Sequence, residues 1–474
     1  MSLGRTIILN TGVQIFARVV STLLAAITLG LLTRYLKQEG YGAFTIATTF
    51  PQLFGVFADF GLSLIGIQMI SEIGGNHSRN YNAIFTLRFV TVFSFMLLAP
   101  LVSLFFPYPL EIKAGIAIMA VSIFLSSLIQ IFTIQFQVNL AMIKPMIAEI
   151  ASKLFLIAGI GLAVLLQTDL LFILWLVVIN NVIQLTMLFF WSRNYYLVRF
   201  IWDPILFKEI FFRSWPIGLS IIFNLIYLKL DTIILSLHFS QETVGIYGGA
   251  YKVFEVLLSY PSMFMGIVLA SFARSWSEGD TLRFQRYFQK SFDFMVLSAL
   301  PIMVYTPFIA RSLLKTILGN DFETSGDVLS VLTIGAGFVV LGSFFGHLIN
   351  VIHKQKVMLG GYGAGAIFGL IGYLVTIPLF SYWGAAWTTV AVEFLVLLIS
   401  ARVFLTSTRI SIHFEATKRI LLATLLTTLF LGLFSWAPII VTLLLTCLIY
   451  AWALYVFGVI PKNLVRELLR GKVA

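Results

Sequence analysis

Apolar runs of about 20 residues recur from one end of this chain to the other, and each is long enough to cross the hydrocarbon core of a bilayer. The 474 residues are 59% hydrophobic and only 11% charged, whereas ordinary soluble domains are roughly 45–50% apolar and about 25% charged. A water-soluble fold cannot bury that much apolar surface. The sequence therefore predicts an all-α, polytopic integral membrane protein, and it favours transport over a reaction catalysed in water.

Charge, Gly and Pro bound these apolar runs, which we divide into about fourteen transmembrane helices. The predicted spans begin near Ile7, Gly42, Ala83, Ile112, Ile147, Leu170, Ser214, Gly245, Phe292, Gly326, Val357, Trp383, Lys418 and Pro438. Little more than residues 435–438 separates the last two, so twelve or thirteen spans are alternatives.

The Lys and Arg residues divide unevenly between the two sides that these spans define. The side that holds both termini collects about 23 of the 31 basic residues and the other side only about 5. Cytoplasmic loops carry this excess, so we expect both termini in the cytoplasm and an even number of spans. The net charge of +11 then reflects topology and implies no nucleic-acid partner.

Cysteine and histidine offer no site for a metal or a cofactor. The single cysteine, Cys447, has no partner for a disulfide, and the five histidines lack metal-ligand spacing. We therefore expect neither a metal nor a cofactor, and any function must lie within the helical bundle.

An internal repeat divides the predicted spans. The pattern Q-E-x-x-G-x-aromatic occurs at residues 38–44, between spans one and two, and at residues 241–247, between spans seven and eight. Parallel repeats are typical of transporters whose substrate site lies between two lobes near the membrane midplane. We predict an N-lobe of six helices (residues 1–200), a C-lobe of six helices (201–410) and two additional helices (411–474).

Polar and charged side chains inside the first two spans are candidate site residues, because a charge within a span costs about 2.5–3.5 kcal/mol on insertion scales. Asn10, Gln14 and Arg18 form a stripe on one face of the first helix. Arg18 and Asp59 lie at similar depth in antiparallel neighbours, so they can pair. They either line a cavity or fix the helix register.

The seventh and eighth spans carry a second group of charges. Asn224, Tyr227 and Asp231 share one helical face, and Lys229 lies about 200° around from Asp231, too far for the two to pair. In the eighth span Lys252 and Glu255 are neighbours in the i, i+3 positions.

Counting from the turn places Lys252 level with Asp231 and Glu255 level with Lys229. One interface cannot satisfy both pairs, so we expect at least one charge, a lysine, to face a cavity; closed structural pairs are the alternative. Glu393, midway along the twelfth span, has no partner nearby in the sequence. It is a proton or cation site, or a protonated structural residue.

The chain resembles the polysaccharide-exporter flippases, which include the Wzx-type O-antigen flippases, within the multidrug/oligosaccharidyl-lipid/polysaccharide exporter superfamily. The likeness extends over most of the chain. It rests on Thr33-Arg34-Tyr35-Leu36, Gly40-Tyr41-Gly42, Ala58-Asp59-Phe60-Gly61-Leu62, Leu318-Gly319-Asn320-Asp321-Phe322, Ile377-Pro378-Leu379 and Gly384-Ala385-Ala386.

The resemblance implies a flippase in a bacterial inner membrane that moves a polyprenyl-pyrophosphate-linked oligosaccharide by alternating access. Membrane lipids, a polysaccharide polymerase and a chain-length regulator are the partners that it implies. Under this reading the candidates for substrate binding are Arg18, Lys229, Lys252, Asn10, Gln14, Asn224, Tyr227 and Tyr251. The candidates for ion coupling are Asp59, Asp231, Glu255 and Glu393.

Three other functions compete with this one. An ion-coupled multidrug antiporter and a lipid II flippase belong to the same transporter class. A membrane-embedded glycosyltransferase or polymerase is less favoured, because such enzymes need a sizeable outer loop with catalytic residues. The predicted outer loops are short and nearly uncharged.

Overall fold

The computed structural model describes residues 3–71, 76–193, 195, 197–433 and 438–459, with side chains from Ala17 onward except those of Ser71 and Ile440. Asn10 and Gln14, residues 435–437 and the basic C-terminal segment lie outside the described side chains or residues. The elements are α1 (Leu3–Asp59), α2 (Leu62–Ser71), α3 (His77–Ser103), α4 (Leu110–Val138), α5 (Ile143–Leu166), α6 (Leu170–Ser192), α7 (Pro204–His238), α8 (Gln241–Ser277), α9 (Thr281–Leu318), a short 3-10 helix (Asn320–Phe322), α10 (Glu323–Val351), α11 (Gln355–Thr408), α12 (Glu415–Leu433) and α13 (Ile439–Val456).

The described residues form helices and contain no strand, so the prediction of an all-α fold is confirmed. Eleven helical segments within them are long and apolar enough to cross a membrane. A polytopic membrane protein is the architecture that follows.

Two of the helical segments are far longer than a bilayer is thick, and each contains a break. Lys37 interrupts α1 (φ 53°, ψ −167°), and Ser381 interrupts α11 (φ 56°, ψ −138°). A straight helix of 54 residues would extend about 80 Å, against about 30 Å of hydrocarbon.

Hydrogen bonds within α11 show that the chain reverses at this break. The Thr376 hydroxyl donates to the carbonyl oxygen of Gly384 at 3.0 Å, and Thr376 and Thr388 share a hydroxyl bond of 2.8 Å. Further from the break, Tyr373 and Thr389 are bonded at 2.9 Å. With distance from the break, the residue number of one bonded partner decreases from 376 to 373 while that of the other increases from 384 to 389. The two halves of α11 are therefore antiparallel.

Several helices begin at a residue whose side chain satisfies the free backbone N–H groups of the first turn. Asn76, Asp169 and Asp203 accept from backbone N–H groups at the starts of α3, α6 and α7. Asp203 also pairs with Arg79 at 2.5 Å, and the hydrogen bond from Arg79 holds the pKa of this carboxyl below its ordinary value. The pair therefore persists until the pH falls through that lowered pKa.

Two helices start well before the spans that we predict. The helix α7 begins at Pro204 rather than near Ser214, and α9 begins at Thr281 rather than near Phe292. Apolar runs mark only the part of a helix that suits hydrocarbon, and both helices continue through a basic segment before it. Arg283, in the first turns of α9, is one of these basic residues.

The described chain divides into two compact units. The first comprises Met1–Gly248 with Ile317–Asp321, and the second comprises Gly249–Thr316 with Phe322–Ala474. In the first unit α7 packs against α1, α2 and α3, and the core around α3, α4 and α6 buries Ile84, Ile131 and Leu188. In the second unit α10 packs against α11, and α12 against α13. The lobes predicted from the repeat stay a prediction.

Candidate functional site

Arg88 is the charged partner of Asp59 in the first unit. Its guanidinium lies 2.9 Å from the Asp59 carboxylate and is only 2% exposed. It also donates to Ser127 at 2.7 Å, to Gln130 at 2.8 Å and to Ser63. The sequence analysis named Arg18 as a residue that could pair with Asp59. The pairing is corrected because α3 begins at His77, which puts Arg88 three turns inside that helix.

The Arg88 bonds hold a break in the chain. Phe60 (φ 40°) and Gly61 (φ 79°) separate α1 from α2, and Arg88 contacts Asp59 before the break and Ser63 after it. The break packs on α7, where a Cβ atom added at Gly61 would lie 3.2 Å from the backbone nitrogen of Gly218. Arg88 therefore fixes where α1 ends and how α2 leaves it.

A second charged cluster joins α1 to α5. The Lys153 ammonium donates to the Glu149 carboxylate at 2.8 Å, and the buried Ser21 hydroxyl donates to the same carboxylate. Arg18 is exposed on α1 and lies close enough to Glu149 for an electrostatic interaction. Two cations thus share one carboxylate, which leaves one unit of positive charge. Lys153 and Glu149 are absent from the predicted site, although their i, i+4 spacing was a usable signal.

Asp231 in α7 is fully buried and hydrogen-bonded. Its carboxylate accepts from the Tyr247 hydroxyl at 2.5 Å and from the Thr232 backbone N–H at 2.6 Å. The sequence placed Asp231 level with Lys252, five residues beyond Tyr247. That register is wrong because α8 already begins at Gln241, which is four residues before the predicted start at Gly245.

The aromatic candidates are buried in the protein. Tyr227 is 1% exposed and accepts a hydrogen bond of 2.6 Å from the Asn224 side chain, which is itself exposed. Tyr251, in the second unit, is 5% exposed and contacts the Phe254 ring. Lys229 is half-buried on α7, within electrostatic range of Asp231.

In the second unit Lys252 and Glu255 form an ion pair with each other. The ammonium lies 2.9 Å from the carboxylate, and the two side chains are 55% and 26% exposed. The pair closes between neighbouring turns of one helix. The half-exposed lysine keeps donors free for a further acceptor.

Glu393 is a buried carboxyl in the second unit. It is 5% exposed and has no hydrogen bond or ion pair within the part of the chain that the structure describes. Tyr362, from the other half of the α11 hairpin, is the group that interacts with it electrostatically. An ionised carboxylate without a partner is strongly disfavoured in such surroundings.

Two cavities open at the repeat motif, away from these charges. The larger, about 510 Å³, is lined by Leu36, Lys37, Gln38, Glu39, Gly40, Ala43, Glu111, Leu170, Gln241, Glu242 and Asp321. The second, about 430 Å³, shares Glu39, Gln241 and Glu242 and reaches Tyr108. None of the predicted site residues with a described side chain lines either cavity.

Comparison with known proteins gives a family match over more than half of the chain. The model of a family described as "Polysaccharide biosynthesis protein" matches residues 7–272. A putative O-antigen transporter of Shigella flexneri is 26% identical over 369 residues, which cover 74% of this chain and 86% of the relative. The capsular polysaccharide biosynthesis protein CapF of Staphylococcus aureus is 23% identical over 195 residues, which are 40% of this chain and 48% of CapF.

Solved structures of the same fold are transporters. The lipid II flippase MurJ in an inward closed conformation matches with a TM-score of 0.77 at 16% identity, over 97% of this chain and 100% of MurJ. An inward-facing multidrug transporter of the MATE family, from the MOP superfamily, matches with a TM-score of 0.63 at 13% identity, over 82% of this chain and 95% of that transporter. These likenesses show the fold.

Proposed function

Because the chain belongs to the polysaccharide biosynthesis protein family, we propose that it is a flippase that moves a polyprenyl-pyrophosphate-linked oligosaccharide across a bacterial cytoplasmic membrane by alternating access. The similarity to a putative O-antigen transporter over 74% of the chain supports this cargo class. The MurJ-like and MATE-like fold supports a transporter rather than an enzyme.

The structural observation that carries the proposal is the surplus positive charge on α1 and α5. Arg18 and Lys153 share the single carboxylate of Glu149, so one positive charge is available to an anion. A pyrophosphate is a dense anion, and Arg or Lys in a low-dielectric cleft can replace its water. Arg18 binds the cargo pyrophosphate in this proposal, and Lys229 and Lys252 are further candidates. Asn224, Tyr227 and Tyr251 are the described candidates for contacts with the glycan.

Fourteen membrane crossings fit the proposed transporter. The eleven spanning segments count each of the two longest, Ala17–Ile70 and Gln355–Thr408, once. Each is broken by a non-helical residue and is long enough for two crossings, which makes thirteen, and α13 is the fourteenth. An even number puts both termini on one side, which the basic residues indicate is the cytoplasm.

Ion coupling in this proposal uses a carboxyl group within the helices. Asp59 and Asp231 have strong partners, and Glu255 is paired with Lys252. Glu393 is the candidate that we favour, because it is buried without a partner among the described residues. It exchanges a proton during the transport cycle. Membrane lipids, a polysaccharide polymerase and a chain-length regulator are the proposed partners.

A reconstituted assay separates this function from its alternatives. Proteoliposomes receive a polyprenyl-pyrophosphate-linked oligosaccharide with a fluorescent glycan, and a membrane-impermeant quencher reports its movement between leaflets. We expect the wild-type protein to flip this lipid and Arg18→Ala to slow it severalfold, because the pyrophosphate loses its cation. The control is Arg193→Ala, because Arg193 lies over the Phe189 and Phe190 rings, away from the cluster.

Lipid II and a cationic dye are the competing substrates in the same vesicles. Movement of the dye alone would identify a multidrug antiporter, and movement of lipid II alone a lipid II flippase. Either result would contradict the oligosaccharide proposal. Cleavage or extension of the glycan in these vesicles would instead identify an enzyme.

A further inference from the structure

The segment that joins α6 to α7 is not helical, and side chains of α3 hold its backbone in place. The Asn82 side-chain oxygen accepts from the backbone N–H of Arg199 at 2.9 Å, and the Thr86 hydroxyl accepts from that of Ile201 at 3.0 Å. Irregular backbone beside apolar helices needs such partners, because an unpaired polar group there costs several kcal/mol. The segment therefore has a defined conformation without being part of a helix.

Aromatic and charged contacts complete this attachment to α3. The Phe200 ring packs edge-on against the Phe85 and Phe89 rings, at centroid distances of 5.4 and 5.1 Å. At the end of the segment Asp203 pairs with Arg79 and caps α7. The segment and the start of α7 are thus fixed to α3, and the side that they leave exposed is preformed. We name the exposed side of residues 197–212 the linker surface.

The linker surface is apolar and rich in aromatic side chains. The first turns of α7 bury Leu206 and Ile210 in the core of the first unit and leave their other side exposed. The Trp202 ring contacts the Phe207 ring edge-on at 5.5 Å, so it lies beside the first turn of α7. A contiguous apolar patch of this kind indicates an interaction site. Its apolar side chains that are more than half exposed are Leu197, Phe200, Trp202, Ile205, Phe211 and Phe212.

Two basic residues of the linker surface lack an acidic partner. Arg199 and Lys208 are exposed, and neither forms an ion pair with a residue that the structure describes. The two acidic residues between positions 195 and 213, Asp203 and Glu209, are both occupied by ion pairs with other arginines. The surface therefore combines two uncompensated cations with exposed aromatic rings, which is the composition of a segment that lies at a membrane interface.

We propose that the linker surface binds acidic phospholipid headgroups. Arg199 and Lys208 donate to the lipid phosphate, while Trp202 and Ile205 enter the layer between headgroups and acyl chains, where amphipathic aromatic rings are favoured. A zwitterionic headgroup offers the two cations no net charge, whereas an anionic surface attracts each of them about fivefold. The attachment to α3 orders the backbone in advance, so lipid binding does not have to. The surface requires neither a cargo nor a particular orientation of the protein.

Quenching of tryptophan fluorescence by brominated phospholipids tests the proposal. The full chain is reconstituted in phosphatidylcholine vesicles that contain increasing brominated phosphatidylglycerol, and the quenching that Trp202→Phe removes is assigned to Trp202. We expect half of this quenching at a mole fraction about tenfold lower for brominated phosphatidylglycerol than for brominated phosphatidylcholine. Equal mole fractions for the two lipids, or the same quenching in Trp202→Phe as in the wild type, would overturn the proposed surface.

Removal of the two cations should abolish the preference for phosphatidylglycerol. Arg199→Gln with Lys208→Gln changes exposed side chains and keeps the backbone hydrogen bond of residue 199. The matched control is Lys354→Gln with Lys356→Gln, which removes the same charge from two exposed positions at the start of α11 and should keep the preference. An equal loss in both double variants would show that the total charge of the protein sets the preference, which would overturn the linker surface as its source.

Inorganic phosphate distinguishes a headgroup surface from a site for a soluble anion. Sodium phosphate and sodium chloride of equal ionic strength should weaken the lipid preference equally, because salt screens any exposed cation. A severalfold greater loss in phosphate would identify a site for the free anion and would overturn lipid binding. Oligosaccharide flipping is measured in the same vesicles, and its absence, with the lipid preference as expected, would overturn only the proposed function.

Discussion

Arg88 in the first unit and Glu393 in the second are both buried charged residues in apolar helices, yet their surroundings differ. Arg88 has a carboxylate at 2.9 Å and hydrogen bonds to three polar side chains. Glu393 has neither a hydrogen bond nor an ion pair within the described residues. Burial alone therefore does not identify a charged residue with a role in transport. We expect a paired charge to hold structure and an unpaired one to be available to a proton.

Removal of the Arg88 side chain should give the largest effect on stability. Arg88→Ala leaves Asp59 beside a cavity without its cation, and breaking a buried pair in this way costs about 3–5 kcal/mol. We expect a marked fall in the unfolding midpoint of the detergent-solubilised protein. Arg274→Ala is the control, because that side chain is 76% exposed. Equal midpoints for both variants would show that Arg88 does not hold the break at Phe60.

Loss of the Tyr247 hydroxyl should give an intermediate effect. Tyr247→Phe takes one hydrogen bond from the buried Asp231 carboxylate and leaves the Thr232 bonds, at a cost of about 1–3 kcal/mol. The same thermal unfolding measurement applies. Tyr287→Phe is the control, because the Tyr287 hydroxyl has no hydrogen bond among the described residues. An unchanged midpoint for Tyr247→Phe would show that Asp231, like Glu393, does not rely on a hydrogen-bond partner to stabilise the fold.

Replacement of Glu393 should affect stability least and the pH dependence of transport most. Glu393→Gln keeps the shape of a protonated carboxyl, so the unfolding midpoint should stay constant or rise. The flipping rate should lose its response to a pH gradient, because the amide cannot release a proton. Glu415→Gln, at a 79% exposed carboxylate, should keep that response. A strongly destabilised Glu393→Gln would show that this carboxyl is a structural partner.

The fold followed from the sequence because the bilayer imposes one length and one polarity on each span. The predicted start at Leu170 coincides with the start of α6, and the start near Trp383 falls two residues after the break at Ser381. Interfacial helix ends were missed, as at Thr281. The first turns of such a helix contain basic residues, so a prediction based on apolar content alone assigns them to a loop.

The charge partners did not follow from the sequence, because depth along a span selects several candidates at once. Arg18 and Arg88 both suit Asp59 by depth, and the structure pairs Asp59 with Arg88. A start assigned at Ala83 also placed Arg88 about one and a half turns inside its span, whereas it lies three turns inside α3. The eighth span was predicted to start at Gly245, four residues after the true start of α8 at Gln241. This error made Lys252, rather than Tyr247, the expected neighbour of Asp231. A shift of a few residues changes which side chains pair, whereas it leaves the prediction of a membrane span unchanged.

The turn at Ser381 has a consequence for how the protein is made. The two halves of α11 meet at a turn without a loop, and Thr376 bonds to Gly384 across it. Because no loop separates the two halves, we expect both to enter the bilayer together as a single helical hairpin during synthesis.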